Sequence, residues 1–274
     1  MAFRLTAFES NGRADRLEKY QFLTRADIDT PEKWIDLCGS QAIARQFLSA
    51  YPTQCVEVEV PQEEAASWSH RLYFAQGLPA GVATFAQLMT KILTLVTHPP
   101  LDFALVLDWY KIPDPDIDPY YWHNTEAGEL NRRSKYFNGS PGIQAAARDK
   151  LVDQLSHVIS EHPLYRDAAY LVTVPGSAAD GKSHAEQLAQ KIAHSTGKRI
   201  IQTQSLKGPR PPAKEQQTLL SPDDFALPHS VTGDVVIVDD VYRSGGTMRA
   251  VAGAAKRSGA TRALGLAIVR TMRN

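Results

Sequence analysis

The chain has 274 residues, 30 Lys+Arg against 30 Asp+Glu, and 43% hydrophobic residues, a globular composition that can bury one large core or two ordinary ones. No apolar run approaches the ~20 residues needed to span a bilayer, and the start MAFRLTAFES lacks the basic-then-apolar order of a secretory signal, so a cytoplasmic protein with no membrane association is expected. The two cysteines, Cys38 and Cys55, argue against both a structural zinc site and a disulfide framework.

Overall neutrality conceals an asymmetry: residues 1–118 hold 10 Lys+Arg and 16 Asp+Glu, while residues 119–274 hold 20 and 14. The basic C-terminal part suits a phosphate-rich ligand, with nucleic acid as a further candidate partner.

In chain order, FRLTAF reads as a strand, about Thr30 to Tyr51 as a helix with Pro31 near its start, and the alternating CVEVEV as a half-exposed strand. A strand near RLYFA, an apolar helix from about Ala80 to Thr97 and a strand from Leu101 to Trp109 follow. KIPDPDIDPYY, residues 111–121, carries three prolines and three aspartates and reads as a linker between an N-terminal α/β domain, 1–118, and a second domain, 119–274. Around it Trp109, Tyr110, Tyr120, Tyr121 and Trp122 offer two readings: a platform for stacking bases, or glue between linker and domain.

Beyond the linker, Ala145 to Ser160 has helical spacing and AAYLVTVPG is a buried strand stopped by Pro175 and Gly176. His184 to Ser195 is a helix closed by Gly197, and KRIIQTQ is another strand. LKGPRPPAKEQQ, residues 206–217, has no apolar period and is expected to be a mobile excursion. VVIV, a helix from Thr247 to Ser258 and the strand ALGLAIV complete an alternation that implies a mainly parallel sheet.

Chemistry concentrates in VVIVDDVYRSGGTM, residues 235–248. Four β-friendly apolar residues argue for a strand buried on both faces, where two carboxylates would be costly, so Asp239 and Asp240 are expected just past its edge. In Arg243, Ser244, Gly245, Gly246 and Thr247 the glycines let backbone N–H groups approach an anion, and the start of the following helix adds its dipole. Carboxylates that accept from vicinal hydroxyls beside a phosphate cradle describe a ribose 5-phosphate group. The stretch is neither a P-loop, since the Gly-Lys-Ser/Thr ending is missing, nor GxGxxG.

This stretch resembles the phosphoribosyl-pyrophosphate (PRPP) motif of type I phosphoribosyltransferases. Over residues 120–274, ELNRRSKYFNG, the strand LVTVPG and the late strand–helix–strand are similar in order to the ComF branch. The resemblance implies a five-stranded parallel core and PRPP bound with Mg²⁺. It also implies attack on the anomeric carbon by a nucleobase or other acceptor, with pyrophosphate released. Asp239 and Asp240 would bind the ribose hydroxyls and touch the metal indirectly, through those hydroxyls or water, and residues 243–247 would hold the 5′-phosphate. Pro175, Gly176, Ser177, Ala178 and Lys182 would hold pyrophosphate, and a hood bearing Lys207, Arg210 and Lys214 would close over the site.

Two departures narrow the reading. Where 6-oxopurine enzymes place a proton-accepting aspartate this chain has Arg243, which cannot accept a proton. In place of the cysteine-rich zinc module of many ComF-like chains it has an acidic α/β segment. A PRPP-dependent transferase, a homodimer acting on an unidentified acceptor, is the leading expectation. A non-catalytic PRPP or nucleotide sensor and a ComF-like accessory in DNA uptake are the alternatives.

Overall fold

The computed structural model describes residues 14–23, 33–114, 116–136, 140–211 and 220–271. The strand expected at FRLTAF and the candidate hood residue Lys214 lie outside them.

Two short strands open the described chain, β1 (Ala14–Asp15) and β2 (Lys19–Leu23), followed by β3 (Trp34–Cys38), α1 (Gln41–Ala50), β4 (Cys55–Val58) and β5 (His70–Phe74). Then come α2 (Val82–Met89), β6 (Leu93–Leu95), β7 (Phe103–Trp109), α3 (Glu126–Tyr136), α4 (Pro141–Glu161), α5 (Pro163–Asp167) and β8 (Tyr170–Thr173). The remainder is α6 (His184–Thr196), β9 (Arg199–Ile201), β10 (Gln204–Ser205), β11 (Phe225–Ala226), β12 (Gly233–Tyr242), α7 (Gly246–Arg257) and β13 (Ala260–Arg270). No described helix is long and apolar enough to cross a membrane.

The protein is a mixed α/β structure with a largely parallel seven-stranded sheet in the order β1-β6-β7-β13-β12-β8-β9. Its five strands β7, β13, β12, β8 and β9 run parallel, and β6 pairs antiparallel to β7. A second, four-stranded antiparallel sheet has the order β2-β3-β5-β4. Strands β12 and β13 are central, hence apolar on both faces: Val236, Val238, Leu264 and Leu266 join one core, with α4, α6 and the small sheet. Val235, Ile237, Ala263 and Ala267 join the other, with the alanine-rich face of α7.

Sequence and structure part company at three places. Residues 30–51 are not one helix; β3 precedes α1, because Ile35 and Leu37 alternate around Asp36 in a strand with two neighbours. Residues 80–97 likewise divide into α2 and β6, the short apolar run Ile92–Leu95 being compatible with either state until its sheet neighbours decide. The third concerns the proline-rich segment, which is a surface excursion and not a seam between sheets: β6 and β7 precede it, yet β7 pairs with β13 from Phe103–Leu264 to Trp109–Arg270. Trp122 pins that excursion by donating to Asp114 O at 2.8 Å and Ile117 O at 2.9 Å, while Tyr120 and Tyr121 stay exposed. Trp122 thus acts as glue, and both cysteines are free thiols.

Fully buried His162 ties the early and late parts of the chain together. Its Nε2 meets Gln46 Oε1 of α1 at 2.8 Å, Gln46 Nε2 donates to Thr94 of β6 at 3.0 Å, and Phe85 and Tyr165 flank the ring. Burial pushes its pKa down to about 3, so it is a neutral structural histidine.

Candidate functional site

All five parallel strands end at one edge of the sheet, which gathers the 175–178 turn after β8, the two acids of β12, the loop before α7, and Trp109 and Arg270 at the ends of β7 and β13. Such carboxyl edges are where open α/β sheets bind ligands.

Asp239 and Asp240 do not lie past the strand; both are half-buried members of β12, and Asp239 stands opposite Ala267. The cost expected of two acids in a strand is met by two devices. Asp239 accepts from the Asp240 N–H at 2.8 Å, and its carboxyl is pushed up to about 8, first by burial and then by the neighbouring Asp240 charge. The neutral form of Asp239 is thereby favoured well above the usual carboxylate range. For its part Asp240 forms an ion pair with Lys135 of α3.

This arrangement carries a pH signature. Asp239 binds its proton more tightly folded than unfolded, so stability contributed by the group is present below pH ~4 and is lost as pH rises toward 8, by up to about 1.4 kcal/mol per pH unit. Thermal unfolding of ligand-free protein at pH 5 and pH 8.5 is expected to show wild type losing stability relative to Asp239→Asn; parallel pH dependences in the two proteins would refute the assignment.

In the loop after β12, Gly245 is the N-cap of α7 with φ 73°, a left-handed conformation, and a Cβ there would lie 2.2 Å from the Tyr242 hydroxyl. Glycine is therefore required twice over, by dihedral and by space. Gly246 and Thr247 begin the 12-residue α7, whose first N–H groups have no intrahelical acceptors, while Ser244 is exposed and Arg243 half-buried. Beside the loop, buried Arg270 lies between the Tyr242 and Trp109 rings, 5.4 and 5.8 Å from their centroids.

The 175–178 turn is held from within. Gly176 N–H donates to Glu186 Oε2 at 3.3 Å, Ser183 N–H to the same oxygen at 3.0 Å, and a Cβ on Gly176 would strike Ser183 Cβ at 2.5 Å. Gly176 thus anchors the turn, leaving Ser177 and Ala178 exposed on its outside; Pro175 is buried and Lys182 exposed.

From the segment expected to be mobile, Arg210 reaches this turn: its N–H donates to Ser177 O at 2.9 Å and its Nη2 to Pro175 O at 2.6 Å. Burial lowers its pKa, opposed by the charges of Asp239, Glu186 and Asp224. Lys207 instead pairs with Asp224 Oδ1 at 2.5 Å, and Leu206 N–H donates to Asp224 O. Residues 204–211 are therefore pinned, by β10–β11 pairing and by these contacts, because polar anchors substitute for the missing apolar period. The structure brings Arg210 to the sheet edge and commits Lys207 elsewhere.

Sequence reading missed Lys135, Glu186 and Arg270 and noted His184 only as a neighbour of the turn. Glu186 was signalled by Ser183-x-x-Glu186, the capping box that opens α6. Lys135 sits inside ELNRRSKYFNG, but no local pattern announces a partner over a hundred residues away.

No protein-family model matches the chain, and no curated protein matches it. Among solved structures, a purine phosphoribosyltransferase from Pyrococcus horikoshii Ot3 is similar over 45% of this chain and 85% of that one, at 17% sequence identity and a TM-score of 0.29.

Proposed function

We propose that the chain binds PRPP at the carboxyl edge of the parallel sheet and transfers ribose 5-phosphate to an acceptor, releasing pyrophosphate. One observation carries the reading: the glycine-capped start of α7, an anion-favouring backbone feature, and the 175–178 turn, to which Arg210 brings its guanidinium, flank an adjacent pair of carboxyls at one sheet edge. A sugar with phosphate at one end, diphosphate at the other and hydroxyls between them matches that order of donors and acceptors.

Asp239 and Asp240 take the ribose hydroxyls, residues 243–247 the 5′-phosphate, and the outer face of 175–178 with Arg210 and Lys182 the diphosphate. Among the described residues no group of three or more His, Cys, Asp or Glu side chains could hold a metal ion. Two carboxyls fit Mg²⁺ only in partnership with ligand oxygens and water, the manner in which this ion meets phosphate substrates. When bound, it would neutralise charge building on the departing diphosphate. The chain's own part is to orient the sugar between the two cradles and to bring the half-buried Arg210 guanidinium against the turn.

The test is calorimetric titration with PRPP and Mg²⁺, paired with a pyrophosphate-release assay over a panel of nucleobases. Binding with release supports the transferase. Binding with no release favours a sensor, a reading supported by Arg243, which cannot serve as the acceptor's proton partner. Absence of PRPP binding overturns both.

A further inference from the structure

The proline-rich excursion after β7 is tied down from within, yet it shows apolar side chains to solvent. Lys111 Nζ donates to Pro119 O at 3.1 Å and to Tyr120 O at 2.8 Å. Ile112 N–H donates to His123 O and Tyr120 N–H to Asp118 Oδ1, both at 2.8 Å. Of the nine large hydrophobic side chains exposed among the described residues, four belong to this excursion: Ile112, Ile117, Tyr120 and Tyr121, the two tyrosines 80% and 70% exposed. Single exposed hydrophobics are ordinary, but a cluster on a backbone already held in place marks a contact surface that needs little further ordering to bind. Exposed Asp116 and Asp118 stand among these side chains and make the surface acidic. The surface that fits it is basic and apolar, and this chain carries one. Arg132, Lys150, Arg166, Lys191 and Lys207 are exposed cations already paired with acids of their own chain. Exposed Arg199 instead lies over the Tyr170 ring, 4.2 Å from its centroid, a stacking that leaves the N–H edge of the guanidinium to carboxylates. It belongs to β9, the last strand in the order of the large sheet, and exposed Ile200 follows it. Side chains alternate between the faces of a strand, so a partner arriving at this edge meets both residues.

We propose that the excursion docks on a second copy of this chain: Asp116 and Asp118 meet Arg199 of the partner subunit, and Tyr120 and Tyr121 meet Ile200 of the partner subunit. Two observations favour a second copy over another basic protein. The complementary patches sit on one molecule, at β7 and β9, the two ends of the five parallel strands, so a single two-fold axis between them engages both contacts at once. One excursion is also smaller than the ~20–30 residues a side of a standard interface, and the reciprocal arrangement doubles what each chain contributes. An unrelated basic partner would use the excursion alone and leave the β9 edge uncovered. The inference does not depend on the PRPP reading.

Sedimentation velocity on the full chain is the test. Wild type is expected to be a dimer with a Kd on the order of micromolar, weakened roughly tenfold between about 50 mM and 500 mM NaCl. Asp116→Lys with Asp118→Lys, and separately Arg199→Glu, are each expected to weaken it at least roughly tenfold, with thermal melts in place because all three side chains are exposed. The decisive sample is an equimolar mixture of the two variants. Each contact in the mixed dimer again joins opposite charges, so its affinity is expected within about threefold of wild type. Wild type that stays monomeric at about 100 µM, a dimer that either variant leaves unchanged, or a mixture that stays monomeric overturns the proposal. Should a charge variant fail to fold, Tyr120→Ser with Tyr121→Ser gives the same reading: a weakened dimer supports the docking, and an unchanged one overturns it.

Discussion

Replacing Asp239 and Asp240 together by Asn is expected to weaken PRPP–Mg²⁺ binding about a hundredfold while leaving the cooperative unfolding transition at pH 7 nearly in place. A hydrogen bond to the charged Asp240 contributes about 1.5–3 kcal/mol and one to the neutral Asp239 about 0.5–1.5 kcal/mol, so losing both predicts a deficit of roughly 2–4.5 kcal/mol. The fold survives for a reason specific to this pair. Burial pushes the Asp239 carboxyl up to about 8, so a neutral side chain already suits this position, and an Asn oxygen accepts from the residue 240 N–H as Asp239 does. The residual cost falls on Lys135, which loses its counter-charge but retains some exposure. A competing effect has the opposite sign: one fewer negative charge would attract a polyanion more strongly. Calorimetry decides between them. Affinity within about threefold of wild type, or increased, would remove the assignment of these carboxyls to the sugar hydroxyls.

The parts of this site legible in the sequence are those built from neighbours along the chain. Val235–Val238 announce a two-sided buried strand, Gly245 and Gly246 a glycine-bearing helix start, and His184 to Ser195 a helix closed by Gly197. Pairings across the chain were not legible. Asp239 and Asp240 remain in the strand only because one is protonated and the other meets Lys135, and neither fact has a local signature. Along the chain nothing marks the amide of Gly176 as taken, yet it donates to Glu186, ten residues on. Strand β3 was hidden for a related reason: Asp36 at its centre is fully buried, and a buried acid reads as polar unless its partners on two flanking strands are known.

Those partners lead to the largest stability effect expected outside the site. Gln21, Asp36 and Arg71 stand in register on the adjacent strands β2, β3 and β5. Arg71 donates to both Asp36 oxygens, at 2.6 and 2.8 Å, and to Glu64 at 2.5 Å, and Gln21 Nε2 reaches Asp36 Oδ2 at 3.0 Å. The Asp36 side chain is 0% exposed, so Arg71→Met leaves a carboxylate in the interior with a single amide donor. Removing one partner of a buried pair costs about 3–5 kcal/mol, a large share of the ~5–15 kcal/mol that holds a domain folded. Replacing both, as Asp36→Leu with Arg71→Met, removes the stranded charge and is expected to recover most of the loss, since apolar side chains of similar size pack where the pair stood. Urea unfolding of the two variants checks both statements. A loss below about 1 kcal/mol in Arg71→Met would mean that water reaches Asp36, and a double variant no better than the single one would mean that packing of the Arg71 stem, not its charge, holds β3 to β5.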